Sequence, residues 1–254
     1  MSYGISLLAV IPVRAESSDK AEIITQLLFG EHYTVLEEQE KWIHIKIQFD
    51  DYEGWICRKQ FSEITGQEFE ELSINEFPLC SSSVGIISNS NEENTLISRG
   101  ATLPFLHQNR IKIKGEELKF EGAVNQTNDA QILEYANDYL NTPYLWGGRS
   151  PLGIDCSGFA QVVYKLCGHK LPRDAYQQAE EGYDISFIEM TEAGDLAFFD
   201  NEEGRINHVG IIIEPGKIIH ASGRVKIDKL DHQGIYSDET KSYTHKLRLI
   251  KRIF

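Results

Sequence analysis

The chain has little that would tie it to a membrane or to nucleic acid. Basic residues are outnumbered, 25 Lys and Arg against 39 Asp and Glu, giving a formal net charge of −14. General nucleic-acid and anionic-membrane surfaces need basic patches, so the charge argues against both partners. No apolar run approaches the ~20 residues of a helical membrane span. Cysteine is scarce. Cys57, Cys80, Cys156 and Cys167 are the only four, and their spacing fits neither zinc ligation nor a disulfide framework. On one helix, Cys156 and Cys167 would lie roughly 16 Å apart, too far to bridge. Four unpaired thiols fit a reducing compartment, so a cytoplasmic protein is expected. The apolar stretch Ile5–Ile11 lacks the basic residues that precede a signal core and is followed by Pro12-Val13-Arg14. It reads as a strand of the folded protein. A periplasmic or secreted location stays open if a leader has been removed. The remaining composition is that of a globular protein, 41% hydrophobic and 25% charged over 254 residues. That allows one to three domains with an unstapled core.

Residues 3–65 read as short strands with turns. Ile43, Ile45 and Ile47 alternate with Trp42, His44 and Lys46, so one face is aliphatic and the other mixed. Asp50–Gly54 supplies a turn before Trp55-Ile56-Cys57. Together these predict a compact all-β barrel over 1–66. Pro12-Val13-Arg14, Gln26–Glu31 and Tyr52-Glu53-Gly54-Trp55-Ile56 resemble a bacterial SH3-like domain, which implies binding of peptides or wall polymers beside a hydrolase. Residues 67–124 read as a second, diverged SH3-like barrel. In that segment Glu68–Glu71 is expected to be a solvated linker. Strands are expected at Val84–Ile87, Ala101–Leu106 and Arg110–Lys114.

From Asp129 the period changes to that of helices. Ile132, Leu133, Ala136 and Leu140 form one face, with Thr127, Asn128 or Asp129 as N-cap. A Gly- and Pro-rich loop, Thr142–Pro151, leads to Asp155-Cys156-Ser157-Gly158-Phe159. Phe159, Val162, Val163 and Leu166 then recur at helical spacing. Leu171–Ala179 predicts a second short helix. Strands follow at 195–199, 208–213, 217–221 and 246–250, making residues 125–254 an α+β domain with helices packed on an antiparallel sheet.

Cys156 falls in the first helical turn, where unpaired N–H groups and the helix dipole favour a thiolate. A nucleophilic thiol needs a base, and the base needs a third group to fix its tautomer. His208 and His220 sit on consecutive strands. If Ile212 pairs with Ile218 across a five-residue loop, His220 lies opposite Gly210. His208 is then its diagonal neighbour on the same face. A four-residue loop would put the two on opposite faces. The other six histidines, His245 among them, read as surface or turn residues. Cys156, His208 and His220 could also hold zinc with one open position. With no second Cys nearby and no short ligand pair, the nucleophile reading prevails, and neither metal nor cofactor is expected.

Asp155–Phe159, Asn207-His208-Val209-Gly210-Ile211 and Ile219-His220-Ala221 together resemble the NlpC-type papain-like cysteine peptidases, which cut bacterial cell-wall peptides. Pro143-Tyr144-Leu145-Trp146-Gly147-Gly148 and Gly194-Asp195-Leu196 match the same family. With an SH3-like segment ahead, the chain resembles γ-D-glutamyl-L-diamino acid endopeptidases of murein peptide recycling. The resemblance implies Cys156 as nucleophile, His208 as base and His220 as orienting group. It also implies an oxyanion site at the Cys156 N–H and the Tyr144 hydroxyl, with Asp155 and Ser157 near D-Glu. Asp174, Glu22 and Tyr52 would hold the free amine of an N-terminal L-Ala. Relatives often carry a hydroxyl residue where this chain has Ala175. The expected substrate is a short muropeptide, with diaminopimelate and Lys both open, and the expected enzyme is a monomer. Two alternatives are a secreted hydrolase acting on intact wall and a non-catalytic wall-peptide binding protein.

Overall fold

The computed structural model describes all of residues 1–254. By their contacts the residues divide into two units, Met1–Asn125 with Trp146–Pro151, and Gln126–Leu145 with Leu152–Phe254.

In the first unit, β1 (Tyr3–Ile5), β2 (Val10–Arg14), β3 (Ile23–Leu28), β4 (His32–Glu38), β5 (Trp42–Ile47), β6 (Glu53–Cys57) and β7 (Glu63–Ile64) form one sheet. Its order is β3-β2-β6-β5-β4-β1-β7. Ile43, Ile45 and Ile47 are fully buried, as their alternation predicts. Ile5–Ile11 is not one strand but the end of β1 and the start of β2. Ser6 interrupts it, donating its N–H to the Glu31 carbonyl at 2.9 Å. The expected acidic linker is a helix, α1 (Gly66–Ile74). Thr65 Oγ1 accepts from the Glu68 N–H, and the Glu68 carboxylate accepts from the Thr65 N–H at 2.8 Å. This capping box satisfies two N–H groups that helix initiation leaves unpaired.

A second sheet follows, β8 (Val84–Ser88), β9 (Asn94–Ser98), β10 (Arg110–Ile113) and β11 (Glu116–Glu121), in the order β10-β11-β8-β9. Ala101–Leu106 is not a strand. It makes one isolated bridge, Leu79 to Thr102, and Pro104 has no N–H to continue a ladder. Ile5, Phe29 and Ile64 share one apolar cluster with Ile87, Ile97 and Ile111.

The strap Trp146–Pro151 completes this unit, with the short β12 (Arg149–Ser150). Arg149, 0% exposed, donates to Glu31 Oε2 at 2.8 Å and Oε1 at 3.0 Å, and to the Gln26 carbonyl at 2.7 Å. Gly147 has φ +76°, and a Cβ there would meet the Ile23 carbonyl oxygen at 2.3 Å. Only glycine fits that turn.

In the second unit, Asn128 caps a short 3₁₀ turn that runs into α2 (Ile132–Asn137). The buried face is Ile132, Tyr135, Ala136 and Tyr139; Leu140, expected on it, is exposed. β13 (Gly153–Ile154) leads into α3 (Cys156–Cys167), whose residues are all buried, and Gly168 ends it in the left-handed region. Next come α4 (Ala175–Gln178), β14 (Tyr183–Asp184), β15 (Leu196–Asp200), β16 (Ile206–Glu214) and β17 (Lys217–Ser222). β18 (Arg224–Asp231), β19 (Gly234–Ser237) and β20 (Ser242–Arg252) complete the chain. The sheet order is β14-β20-β15-β16-β17-β18-β19, and β19 also pairs with β20. That last pairing closes six antiparallel strands into a barrel, filled by Ala197, Phe199, Ile212, Ile218, Leu230, Ile235 and Ile250. α3 packs against β16 and β17.

Candidate active site

The hairpin register expected from the sequence is present. Ile212 pairs with Ile218 and Gly210 with His220, with a bulge before Glu214. His208 and His220 therefore share a face with Ile212 and Ile218, the face that carries the barrel core. His208 Nε2 lies 2.9 Å from His220 Nδ1. Gly210 makes the room. A Cβ there would stand 2.8 Å from His220 Cβ and 2.7 Å from Ile218 Cδ1.

The line of polar groups continues one strand further. β18 pairs with β17 so that Asp228 lies opposite Ile218 and Lys226 opposite His220. Asp228 Oδ2 is 3.1 Å from His220 Nε2 and 3.2 Å from Lys226 Nζ. A carboxylate can only accept, so His220 carries its proton on Nε2 and accepts at Nδ1. His208 then donates from Nε2, which leaves the lone pair of a base on Nδ1. Asp228 thus fixes both tautomers from a distance. Sequence reasoning missed it because β18 was not recognised; its signal was a charged residue inside Val225–Leu230.

Cys156 sits at the first position of α3 and is 6% exposed. Asp155, the N-cap, accepts from the Gly158 N–H at 2.7 Å. The Val209 amide, next to His208 in β16, is close enough to favour the thiolate, which puts the sulfur beside β16. Tyr144 is half-buried, and Cys156 and Asp155 are near enough to act on its hydroxyl. Its backbone N–H donates to the Gly223 carbonyl at 2.9 Å, and it bridges to Ile154.

Beneath the helix start lies Arg173, which sequence reasoning passed over between Pro172 and Asp174. It donates to Asp155 Oδ2 at 2.6 Å, to Asp155 Oδ1 at 3.1 Å and to Ser157 Oγ at 2.8 Å. All three side chains are buried. Asp155 and Ser157, expected at the substrate, are thus held by Arg173. Removing one partner of such a buried pair costs roughly 3–5 kcal/mol. Gln178 adds a bond to the Ser157 carbonyl at 3.0 Å. Asp174 precedes α4, and its N–H donates to Gln177 Oε1 at 3.1 Å. Glu22 and Tyr52 belong to the first unit. There Glu22 is exposed and accepts from Trp146 Nε1 at 2.6 Å, and Tyr52 packs on the β-core.

The electrostatics correct one expectation. Burial, and then the Asp155 carboxylate, push the Cys156 thiol up to about 12; the Val209 amide, Arg173 and the Ser157 amide pull the other way without prevailing. Burial holds His208 well below the usual imidazole range, with His220 and His245 adding to that. Burial also lowers His220, although Asp228 opposes it. The resting thiol is therefore protonated and the His208 imidazole neutral, so the helix-start position does not by itself secure a thiolate. The Tyr144 hydroxyl is pushed up, chiefly by burial, and stays a donor.

His245, expected on the surface, lies on β20 with its ring stacked on His208, centroids 4.1 Å apart. β15 brings it there by pairing with β16 on one side and β20 on the other, long-range pairings that local patterning does not reveal.

Residues 141–245 match the NlpC/P60 family, and residues 13–61 match the bacterial dipeptidyl-peptidase SH3 domain. The chain is 31% identical over 219 residues to the γ-D-glutamyl-L-lysine dipeptidyl-peptidase of Bacillus subtilis, covering 78% of this chain and 72% of that one. It is 29% identical over 224 residues to the protein of the same name from Bacillus cereus, covering 78% and 66%. The crystal structure of an NlpC/P60 family protein from Bacillus cereus superposes with a TM-score of 0.83 at 21% identity, covering 99% of both chains. The chain belongs to the NlpC/P60 family of cell-wall peptidases and carries a bacterial SH3 domain ahead of its catalytic domain.

Proposed function

We propose that this chain is a cysteine endopeptidase that hydrolyses the γ-D-glutamyl–diamino acid bond of short, free stem peptides. One observation carries the reading: Cys156 at a helix start beside the relay His208–His220–Asp228, in a chain similar to two γ-D-glutamyl-L-lysine dipeptidyl-peptidases. Cys156 Sγ attacks the γ-carbonyl carbon as His208 Nδ1 takes the thiol proton. The carbonyl electron pair moves to oxygen, which accepts from the Cys156 N–H and the Tyr144 hydroxyl, an electrostatic role of roughly 3–4 kcal/mol per donor. Collapse expels the diamino acid amine, which receives its proton from His208. Water, deprotonated by His208, then cleaves the thioester.

In this reading Asp155 and Ser157, held by Arg173, border the D-Glu end. By the same resemblance Asp174 is the first candidate for the L-Ala ammonium, with Glu22 and Tyr52 as the further candidates, and Ala175 supplies no hydroxyl. Residues 67–124 act as a second SH3-like barrel, the enzyme is a monomer, and its four free cysteines fit a cytoplasmic site of action. Mass spectrometry on L-Ala-γ-D-Glu-L-Lys and its diaminopimelate counterpart, each with free and acetylated N-termini, tests the reading. Cleavage of free forms alone is expected. Equal rates on acetylated forms would refute the amine requirement, and activity surviving in Cys156→Ala would refute the nucleophile.

A further inference from the structure

Three imidazoles from three strands of one barrel converge at the relay. His208, His220 and His245 each offer a ring nitrogen, and the three atoms lie within 4.8 Å of one another. We propose that these histidines form a binding site for a borderline transition-metal cation such as Zn²⁺, and that occupancy shuts the peptidase off. The donor set differs from one built on the thiol, since Cys156 is not among the converging atoms.

The geometry is close to what zinc requires. Tetrahedral zinc with Zn–N of ~2.0–2.1 Å sets its donors ~3.3 Å apart. His208 Nε2 and His220 Nδ1, at 2.9 Å, need to part only slightly. The His245 nitrogen moves inward by at most ~1.5 Å and its ring turns out of its stack on His208, which a half-exposed strand side chain does by rotating about its χ angles. His220 already donates its other nitrogen to Asp228 at 3.1 Å. A carboxylate behind a ligating imidazole fixes its tautomer and raises its basicity. Lys226, paired with Asp228 at 3.2 Å, works against a cation, and Asp228 offsets it. Three imidazoles with an open fourth position suit zinc and copper, whereas Mg²⁺ and Ca²⁺ prefer oxygen.

Inhibition follows from proton placement, and rests on the reading of His208 as base. To bind metal through Nε2, His208 must give up the proton it donates to His220. That proton passes to Nδ1, so the ring stays neutral and no proton is released. Nδ1 is the nitrogen that would take the thiol proton. A loaded site therefore presents Cys156 with an N–H in place of a lone pair.

Zinc chloride titrated into the full-length, chelator-treated Cys156→Ala protein, followed by calorimetry, tests binding without turnover. One equivalent is expected, with His245→Ala and His245→Gln each weakening it at least tenfold while melting cooperatively. Mg²⁺ should not compete. In the active enzyme, Zn²⁺ should stop hydrolysis and excess chelator should restore it. Unchanged affinity in both His245 variants would overturn the site. So would affinity tenfold weaker in Cys156→Ala than in the wild-type chain. Stoichiometric binding with undiminished hydrolysis would overturn the inhibitory role. Because calorimetry needs no substrate, failure to cleave the tripeptides would refute the proposed function and leave the metal site standing.

Discussion

Replacing Asp228 by Asn probes the relay at the point furthest from the thiol. The side chain keeps its shape but loses its charge and gains a donor. As a carboxylate, Asp228 can only accept, which fixes Nε2–H on His220, Nε2–H on His208 and a lone pair on His208 Nδ1. An amide can turn its NH₂ to His220 Nε2. His220 then carries its proton on Nδ1, and His208 must place its own on Nδ1, the nitrogen proposed to take the thiol proton. Loss of one charge-assisted hydrogen bond is worth ~1.5–3 kcal/mol, so kcat should fall ~10- to 150-fold. KM should stay within about twofold, because Asp228 does not meet substrate. The carboxylate also raises the His220 pKa, so the acid limb of the rate profile should move to lower pH. Lys226 retains Glu239 at 3.4 Å, which makes Lys226→Met the control, with the smaller loss. The assay is steady-state hydrolysis of a free tripeptide by liquid chromatography, with melting curves to verify folding. A kcat within twofold of wild type, in a protein that melts normally, would show that Asp228 does not set the tautomers.

Other consequences can be measured directly. Iodoacetamide labelling of Cys156 should be slow at pH 6 and rise about tenfold per pH unit without a plateau below pH 9; a plateau near pH 7 would mean a standing thiolate. Gly210→Ala should cost roughly 1–3 kcal/mol in urea unfolding and more than tenfold in activity, because the new Cβ crowds His220. A fully stable, active variant would contradict the register argument. Arg149→Met should destabilise the first unit by roughly 3–5 kcal/mol, leaving the Glu31 carboxylate buried without its guanidinium, and Glu31→Gln added to it should recover part of the loss. His208, His220 and His245 all have folded pKa values below their unfolded ones. The unfolded chain therefore binds more protons below about pH 6.5, and stability should fall as pH drops from there, by up to ~4 kcal/mol per unit if all three take part. A flat urea midpoint between pH 6.5 and 5 would exclude this.

The parts of the site legible in the sequence are those that local periodicity controls. Phe159, Val162, Val163 and Leu166 announced α3, and the thiol position followed. The His208–His220 pair followed from one pairing, Ile212 with Ile218, across a tight connection. Asp228 required a third strand in register, and His245 required the distant β20 to pair with β15 beside β16. Neither relation has a local signature. Arg173 was hidden differently. A fully buried guanidinium reads as a surface residue until its partners, Asp155 and Ser157, are known to lie beneath a helix start. The Thr65–Glu68 capping box, by contrast, was present in the sequence, and a run of acidic residues obscured it.

The strap Trp146–Pro151 bears on how the chain is made. Arg149 and Glu31 stand 118 positions apart in sequence. As the chain leaves the ribosome, the first barrel's strands emerge long before the guanidinium that neutralises Glu31. Domains generally fold as units, N-terminal first, at ~5–20 residues synthesised per second. Here the first unit waits ~6–24 s for its last segment at those rates, with a carboxylate facing an unfilled slot. Its completion therefore falls after the peptide chain has already entered the catalytic domain's sequence. A fragment ending at Asn125 would hold every strand of both N-terminal sheets and still lack the ion that finishes them.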